Sequence, residues 1–387
     1  MTERGEDSLN NETGATRLRV LQVGPGRGQL GGIASVLGEL NAQRSLFECN
    51  GVTSTVFETH GFQSVKSLLC FLLVDIPCFV AVALKHADIV HFHVSVRGSF
   101  YRKFALYILA RLIGKKTIFH LHAGNFEQFR ETARPVVRNA ISRFVCGADA
   151  VVAVSTAIAE ELRPYCGGAH RLHVIGNTAH EAEADAAREQ AGNALGNGLA
   201  AAPYIAFAGR LTEGKGIDEL LRAVASLLAE GLRVTVRLAG DGDIRRWTEA
   251  AANYGVSDQV HFVGWLRGGE KLHFYRNAAI FCMPSHYESF GISTLEAMFV
   301  GKPVIGTRVG GFLDLVEEGV TGYLVDCGDA VALARSIRDL IERPAIARAM
   351  GQAGATRARD HYSVRAIVDQ YVHCYRTVGQ PEGEKHE

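Results

Sequence analysis

A strand that ends where a helix begins constrains this chain more than any other feature, and it falls between Ile280 and Glu318, IFCMPSHYESFGISTLEAMFVGKPVIGTRVGGFLDLVEE. The apolar run Ile280 to Met283 predicts a buried strand. The polar loop from Ser285 to Ser289 follows, and Phe290 and Gly291 lead into a helix that carries Glu296. In a parallel α/β sheet this junction lies at the carboxyl edge of the strands, where ligands bind and unpaired helix N–H groups favour an anion. Glu288 and Glu296 frame the turn with seven residues between them. That spacing puts one in the loop and the other in the second helical turn, too far apart to share a proton. Both read as acceptors for neutral hydroxyls, such as those of a sugar or ribose. A second strand, VIGT, ends in Gly310 and Gly311, where a bare backbone can approach a phosphate closely.

With 387 residues the chain exceeds what one core supports, roughly 250 to 300 residues, so two domains are expected. Lys plus Arg and Asp plus Glu are 41 each, which removes the global positive field of a nucleic-acid binder. Eight cysteines stand singly with no CxxC pair, several within apolar runs. They read as buried reduced thiols of a cytoplasmic protein, with no cleavable signal ahead of the first strand.

Residues 1–16 are polar and unpatterned and read as a disordered tail. Leu18 to Val23 reads as a strand that enters GPGRGQLGGIASVLGEL. The dinucleotide spacing fails there, because Gln29 stands where the third glycine of GxGxxG would follow Gly24 and Gly26. Gly51 to Phe57 is the second strand. SVKSLLCFLLVDIPCFVAVALKHAD is a little short for a membrane span, and Asp75 and Pro77 interrupt it. A buried or partly interfacial crossover helix, kinked near Pro77, is the favoured reading.

DIVHFH, the third strand, leads to an apolar helix bearing Arg97, Arg102, Lys103, Arg111, Lys115 and Lys116. A basic rim of this kind suits an anionic membrane surface, and a plain solvated helix face fits as well. TIFHLH, the fourth strand, puts His120 and His122 on one side, as DIVHFH does His91 and His93. A metal set would need further ligands at a spacing that the chain does not show. EAEADAAREQAGNALGNGLAA has no apolar stripe and marks a linker. Beyond it, GRLTEGKGIDELLRAV places Arg210 and Lys215 five residues apart among glycines, a fork and a point charge fit for a diphosphate. Asp241 to Asp243 is read as a glycine turn rather than a metal triplet.

PSHYESFGISTLEAMFVGKPVIGTRVGGFLDLVEEGVTGYLV resembles the donor-binding signature of retaining, nucleotide-sugar-dependent glycosyltransferases of family 4, including the two glutamates with seven residues between them. Asp314 departs from the glutamate more usual there. GRLTEGKG resembles the family's second signature, and SVRGSFYRK resembles a segment of its polysaccharide-assembly members. The resemblance implies a GT-B fold, two doubly wound Rossmann-like α/β domains facing across a cleft. Their expected extents are 17–180 and 203–360, with a linker at 181–202, a helix at 361–378 that crosses back, and a tail at 379–387.

It further implies Arg210 and Lys215 on the donor diphosphate with Gly31 and Gly32 opposite, Glu288 on donor-sugar hydroxyls, Glu296 on the ribose, and His122 beside the reacting carbon. Gly209, Gly240, Ser289, Phe290, Gly291, Ile292, Gly310 and Gly311 are expected to line the donor site. No metal and no cofactor beyond the sugar nucleotide is expected. The implied reaction is retaining transfer to a saccharide or polyprenyl-linked saccharide, in polysaccharide assembly, in the cytoplasm or peripherally on the inner face of the cell membrane. A GT-B epimerase or hydrolase and a non-catalytic carbohydrate-binding subunit are the rivals, and a dehydrogenase is a distant third.

Overall fold

In a computed structural model, the structure describes residues 17–25, 31–60, 64–179 and 203–380. The expected tail at 1–16, the linker at 181–202, the failing glycine position Gln29 and the terminal residues 381–387 lie outside the described residues.

The described residues form two six-stranded parallel sheets with their helices. The first is built from β1 (Leu18–Pro25), β2 (Val52–Thr59), β3 (Ile89–Val94), β4 (Lys116–Leu121), β5 (Ala150–Ala153) and β6 (Leu172–Val174), in the order β2-β1-β3-β4-β5-β6. The second holds β7 (Tyr204–Ala208), β8 (Val236–Ala239), β9 (Val260–Gly264), β10 (Ala278–Met283), β11 (Val304–Thr307) and β12 (Gly322–Val325), in the order β12-β11-β10-β7-β8-β9. Helices cover both faces, so strands such as AVVA and YIAFA are buried along their whole length and read as continuous apolar runs. Strand order reverses between β1 and β3 in one sheet and between β7 and β10 in the other. Those are the points where loops part and leave a crevice.

The last helix, Val364–Gly379, crosses back as expected. Val364, Ile367, Val368, Tyr371, Val372, Tyr375 and Val378 recur at helical spacing and pack with Val20, Val36, Phe47, Ile89 and Ile118 of the first sheet and its helices. Ser363 caps it by accepting from Ala366 N, and Arg376 donates to Asn50 O at 2.8 Å. The Ala- and Arg-rich stretch Ala330 to Arg359 falls in two helices, Ala330–Glu342 and Pro344–Tyr362, because Pro344 cannot continue the first.

Three expectations need correction. The apolar segment after β2 is helical from Val65 to His86, 22 residues, and is the one helix among the described residues long and apolar enough to cross a membrane; only 22% of its most apolar window is buried. Instead of a simple kink at Pro77, a π-turn runs from Phe71 to Asp75 directly before it. Pro77 has no N–H to give Leu73, and the hydrogen-bond ladder widens there. The inward stripe is Phe71, Asp75, Phe79 and Ala83, at intervals of four. Asp75 accepts from the backbone N–H of His60 at 2.7 Å and pairs with its ring.

On the basic helix, Gly98–Leu112, two of the six cations do not belong to any rim: Arg102 and Lys103 are buried. Lys103 Nζ donates to Ser99 Oγ at 3.1 Å, and desolvation, followed by the nearby Arg102 charge, pulls its pKa down to about 7. The thiols are not uniformly buried either, since Cys49, Cys78, Cys146 and Cys327 are exposed.

Candidate active site

Each of the two reversal points places chemistry-bearing loops. In the second sheet, Arg210 follows the end of β7, Lys215 ends a short 3-10 turn, and Gly216 then takes a left-handed φ of 69° to start the helix Ile217–Ala229. A Cβ on Gly216 would run into the carbonyl of Pro284, so only glycine lets this loop lie against the loop that leaves β10. The two loops therefore touch, and Lys215 Nζ donates to Glu288 Oε2 at 2.7 Å. Both side chains are mostly buried there, 25% and 14% exposed, which makes the pair stronger than a surface ion pair. Arg210 is exposed and has no carboxylate partner among the described residues.

The strand-to-helix turn folds as expected. Gly291, at φ 103°, caps the helix Ile292–Phe299, with Ser289 and Ile292 half-buried beside it and Phe290 buried against Tyr362. Glu296 sits in the second turn and is held by Lys271 and by Tyr275, whose hydroxyl donates at 2.8 Å. Nothing in the sequence pattern pointed to Lys271 and Tyr275, which come from a helix that ends just before β10.

Gly310 and Gly311 turn out to have a packing reason. A Cβ on Gly310 would meet the carbonyl oxygen of Glu288, one on Gly311 would meet Phe290, and Gly311 N donates to Glu288 O at 3.0 Å. They hold the Glu288 loop in place. Gly240 does the same for the neighbouring turn: a Cβ there would strike Gly209 O, and Gly240 N donates to Gly264 O at 2.8 Å. Asp243 caps the helix Ile244–Asn253 by accepting from Arg246 N, so this triplet behaves as the turn it was read to be.

The first sheet faces this half directly. Gly31 opens the helix Gly32–Ala42, and a Cβ on Gly32 would come 2.9 Å from Ile292 Cδ1, so one helix start looks onto another. Gly124, just past β4, leaves room for the Tyr287 ring. Asp314 spans the two halves: it accepts from Thr156 N at 2.7 Å, while Arg357 and Tyr362 hold its carbonyl. The shorter side chain at this position therefore serves an interdomain bond.

His122 follows β4 at the same edge and is half-buried. Desolvation, and then the Lys103 charge, pull its pKa down to about 3, so the ring is neutral. Behind it stand His91, His93 and His120, all fully buried, with nitrogens of the three lying within 4.8 Å of one another. These are the atoms of a metal set, but their geometry favours a hydrogen-bond ladder. The His91 and His93 rings stack at 4.3 Å with planes 25° apart, so their in-plane lone pairs run side by side rather than converging. Five of the six ring nitrogens are spent on partners, His91 on Tyr375 and His120, His93 on His122 and Gln22, and only His120 Nε2 is left without one among the described residues.

Comparison with known proteins bears on this arrangement at family level. Residues 64–181 match the model of Glycosyltransferase Family 4, and residues 199–357 match that of Glycosyl transferases group 1. The α-D-kanosaminyltransferase of Streptomyces kanamyceticus is 26% identical over 297 residues, 74% of this chain and 77% of that protein. The D-inositol 3-phosphate glycosyltransferase of Streptomyces avermitilis is 37% identical over 39% of this chain and 35% of its own length. The capsular polysaccharide biosynthesis glycosyltransferase CapM of Staphylococcus aureus is 28% identical over 45% and 46%, so these two matches span less than half of each relative.

Among solved structures, Anabaena HepE in complex with UDP and glucose superposes with a TM-score of 0.69 at 21% identity, covering 92% of this chain and 98% of that one. A glycosyltransferase of Rickettsia africae gives 0.73 at 18%, covering 94% and 99%. With the Glycosyltransferase Family 4 model on one half, the Glycosyl transferases group 1 model on the other and the GT-B fold throughout, the chain is a glycosyltransferase of GT-B type.

Proposed function

We propose that the protein transfers a sugar from a nucleoside diphosphate sugar to a saccharide or polyprenyl-linked saccharide, with retention of anomeric configuration and without a metal ion, in polysaccharide assembly. The observation that carries this reading is the Lys215–Glu288 pair at the reversal point of the second sheet, opposite the Gly31–Gly32 helix start.

Breaking the bond between sugar and phosphate concentrates negative charge on the departing diphosphate. The ammonium of Lys215, the guanidinium of Arg210 and the N–H groups that open two helices meet that charge more strongly in the transition state than in the ground state. Binding of the diphosphate draws Lys215 away from Glu288. The freed carboxylate then accepts from donor-sugar hydroxyls, which ties recognition of the sugar to arrival of the phosphate. Glu296, fixed by Lys271 and Tyr275, keeps lone pairs for ribose hydroxyls. His122 lies beside the reacting carbon. Same-face attack by an acceptor hydroxyl gives retention.

A HepE structure that holds UDP and glucose and a capsular relative support the donor and acceptor classes. The exposed apolar helix Val65–His86 supports docking at the inner face of an anionic membrane, where a polyprenyl-linked acceptor resides.

The test is product analysis. The chain is incubated with UDP-, GDP- and ADP-sugars and a polyprenyl-linked saccharide, with and without EDTA, and the anomer is read by NMR. The expected outcome is an acceptor-dependent glycoside that keeps the donor's configuration at an unchanged rate in EDTA. Product from donor alone points to an epimerase or hydrolase, and inversion removes the same-face mechanism.

A further inference from the structure

The proton arrangement along Ser54, Gln22, His93 and His122 follows from four side chains. Gln22 and Ser54 lie on the adjacent strands β1 and β2, and His93 lies on β3. Gln22 Nε2 donates to Ser54 Oγ at 2.7 Å, so the amide oxygen is the atom that faces His93 Nε2 at 3.0 Å. An amide oxygen only accepts, so His93 carries its proton on Nε2. His93 is fully buried, and a neutral imidazole holds a single N–H. Its Nδ1 is therefore a bare lone pair. That lone pair lies 2.9 Å from His122 Nε2, which must donate to it. His122 in turn is left with a lone pair on Nδ1, and this atom has no partner among the described residues.

We infer that Gln22 and His93 are positioning residues that lock His122 in its Nε2–H tautomer, so that it presents a hydrogen-bond acceptor to substrate. The consequence is selective. A bare imidazole nitrogen accepts a hydrogen bond from a sugar hydroxyl, and it repels phosphate oxygen. His122 is thereby dedicated to a hydroxyl of the sugar being moved or of its acceptor, and the diphosphate is left to Arg210 and Lys215. The other pair, His91 with His120, does not reach this chain of bonds; it ends at the Tyr375 hydroxyl on the crossing helix. The assignment of the tautomer stands on the Gln22 amide, turned with its oxygen toward His93, whereas its use on a sugar hydroxyl rests on the transferase reading.

The experiment is a long-range 1H–15N correlation spectrum of the full chain labelled with 15N-histidine, recorded without substrate, with the His122 ring identified by its loss in His122→Asn. The expected result in the wild type is a pyrrole-like Nε2 and a pyridine-like Nδ1. The Gln22 amide oxygen supplies the acceptor against His93. Gln22→Leu removes it, and the His122 nitrogens should then shift toward a mixture of both tautomers, with kcat/KM lowered roughly tenfold, the scale of one misdirected hydrogen bond. A wild-type ring protonated on Nδ1, or a spectrum unmoved by Gln22→Leu, overturns the inference. Because the wild-type spectrum needs no turnover, an inactive chain with the expected tautomer would count against the transferase reading alone.

Discussion

Lys215→Ala is expected to lower kcat/KM by roughly 100- to 1,000-fold, the usual loss when a group aimed at developing charge is removed. Two effects add. The diphosphate loses a cation placed by the 3-10 turn between Thr212 and Gly216, and Glu288 loses the partner that holds it, 2.7 Å away, until donor arrives. The fold should survive. Lys215 belongs to a loop anchored independently by Gly216 against Pro284 and by Lys215 N donating to Thr212 O at 3.1 Å, so the melting temperature should stay close to that of the wild type. Lys215→Arg keeps the charge and should recover part of the rate. Turnover within a factor of a few of the wild type in Lys215→Ala would remove this side chain from the mechanism.

The second large effect concerns the membrane. Leu69→Asp combined with Leu73→Asp is expected to abolish sedimentation with vesicles that contain phosphatidylglycerol. Val65, Leu68, Leu69, Leu72, Leu73 and Val74 stand out from the helix, Val65 and Leu73 by more than 70%, and Leu84 and Leu112 extend the surface. Lys66 and Lys85 are exposed on the same helix, and Lys115 Nζ reaches the carbonyl of Leu84. An apolar face edged with lysines fits an interface of anionic headgroups. Each leucine withdrawn from water contributes about 1.5 to 3 kcal/mol, so losing two lowers the partition roughly a hundredfold or more. Because both side chains already face outward, the substitutions leave the core untouched. Vesicle binding equal to that of the wild type would show that another surface, or none, meets the bilayer.

How far the sequence carried this reading can be seen residue by residue. Each predicted strand appears within a few positions of its expected place, because a parallel sheet covered on both faces writes its strands as unbroken apolar runs, YIAFA and AVVA among them. The turn that carries Glu288 and the helix that carries Glu296 were legible for the same local reason, a strand ending in polar residues and a left-handed glycine at 291. What was not legible came from pairing at long range. Lys271 and Tyr275 gripping Glu296, Asp314 bonding Thr156 across 158 residues, and Gln22 reaching His93 depend on which strands become neighbours, and no spacing within one segment encodes that.

The two adjacent glycines at 310 and 311 show a subtler limit. Their need for small side chains was visible, but the object that presses on them is the backbone of Glu288 to Phe290, and only the fold brings it there. The helix Val65–His86 shows another limit. Its composition left a buried and a partly interfacial helix both open, and the structure exposes most of it, since hydrophobicity alone does not say which apolar phase a surface will meet.

The most direct test is calorimetric titration of the wild-type chain with UDP, GDP and ADP, set against the matching nucleosides. The account predicts that one diphosphate binds at least tenfold more tightly than its nucleoside, and that Arg210→Ala with Lys215→Ala erases the difference, as expected if the phosphates supply the contact. Binding of the nucleoside as tight as that of its diphosphate, or no binding by any of the three, would contradict it.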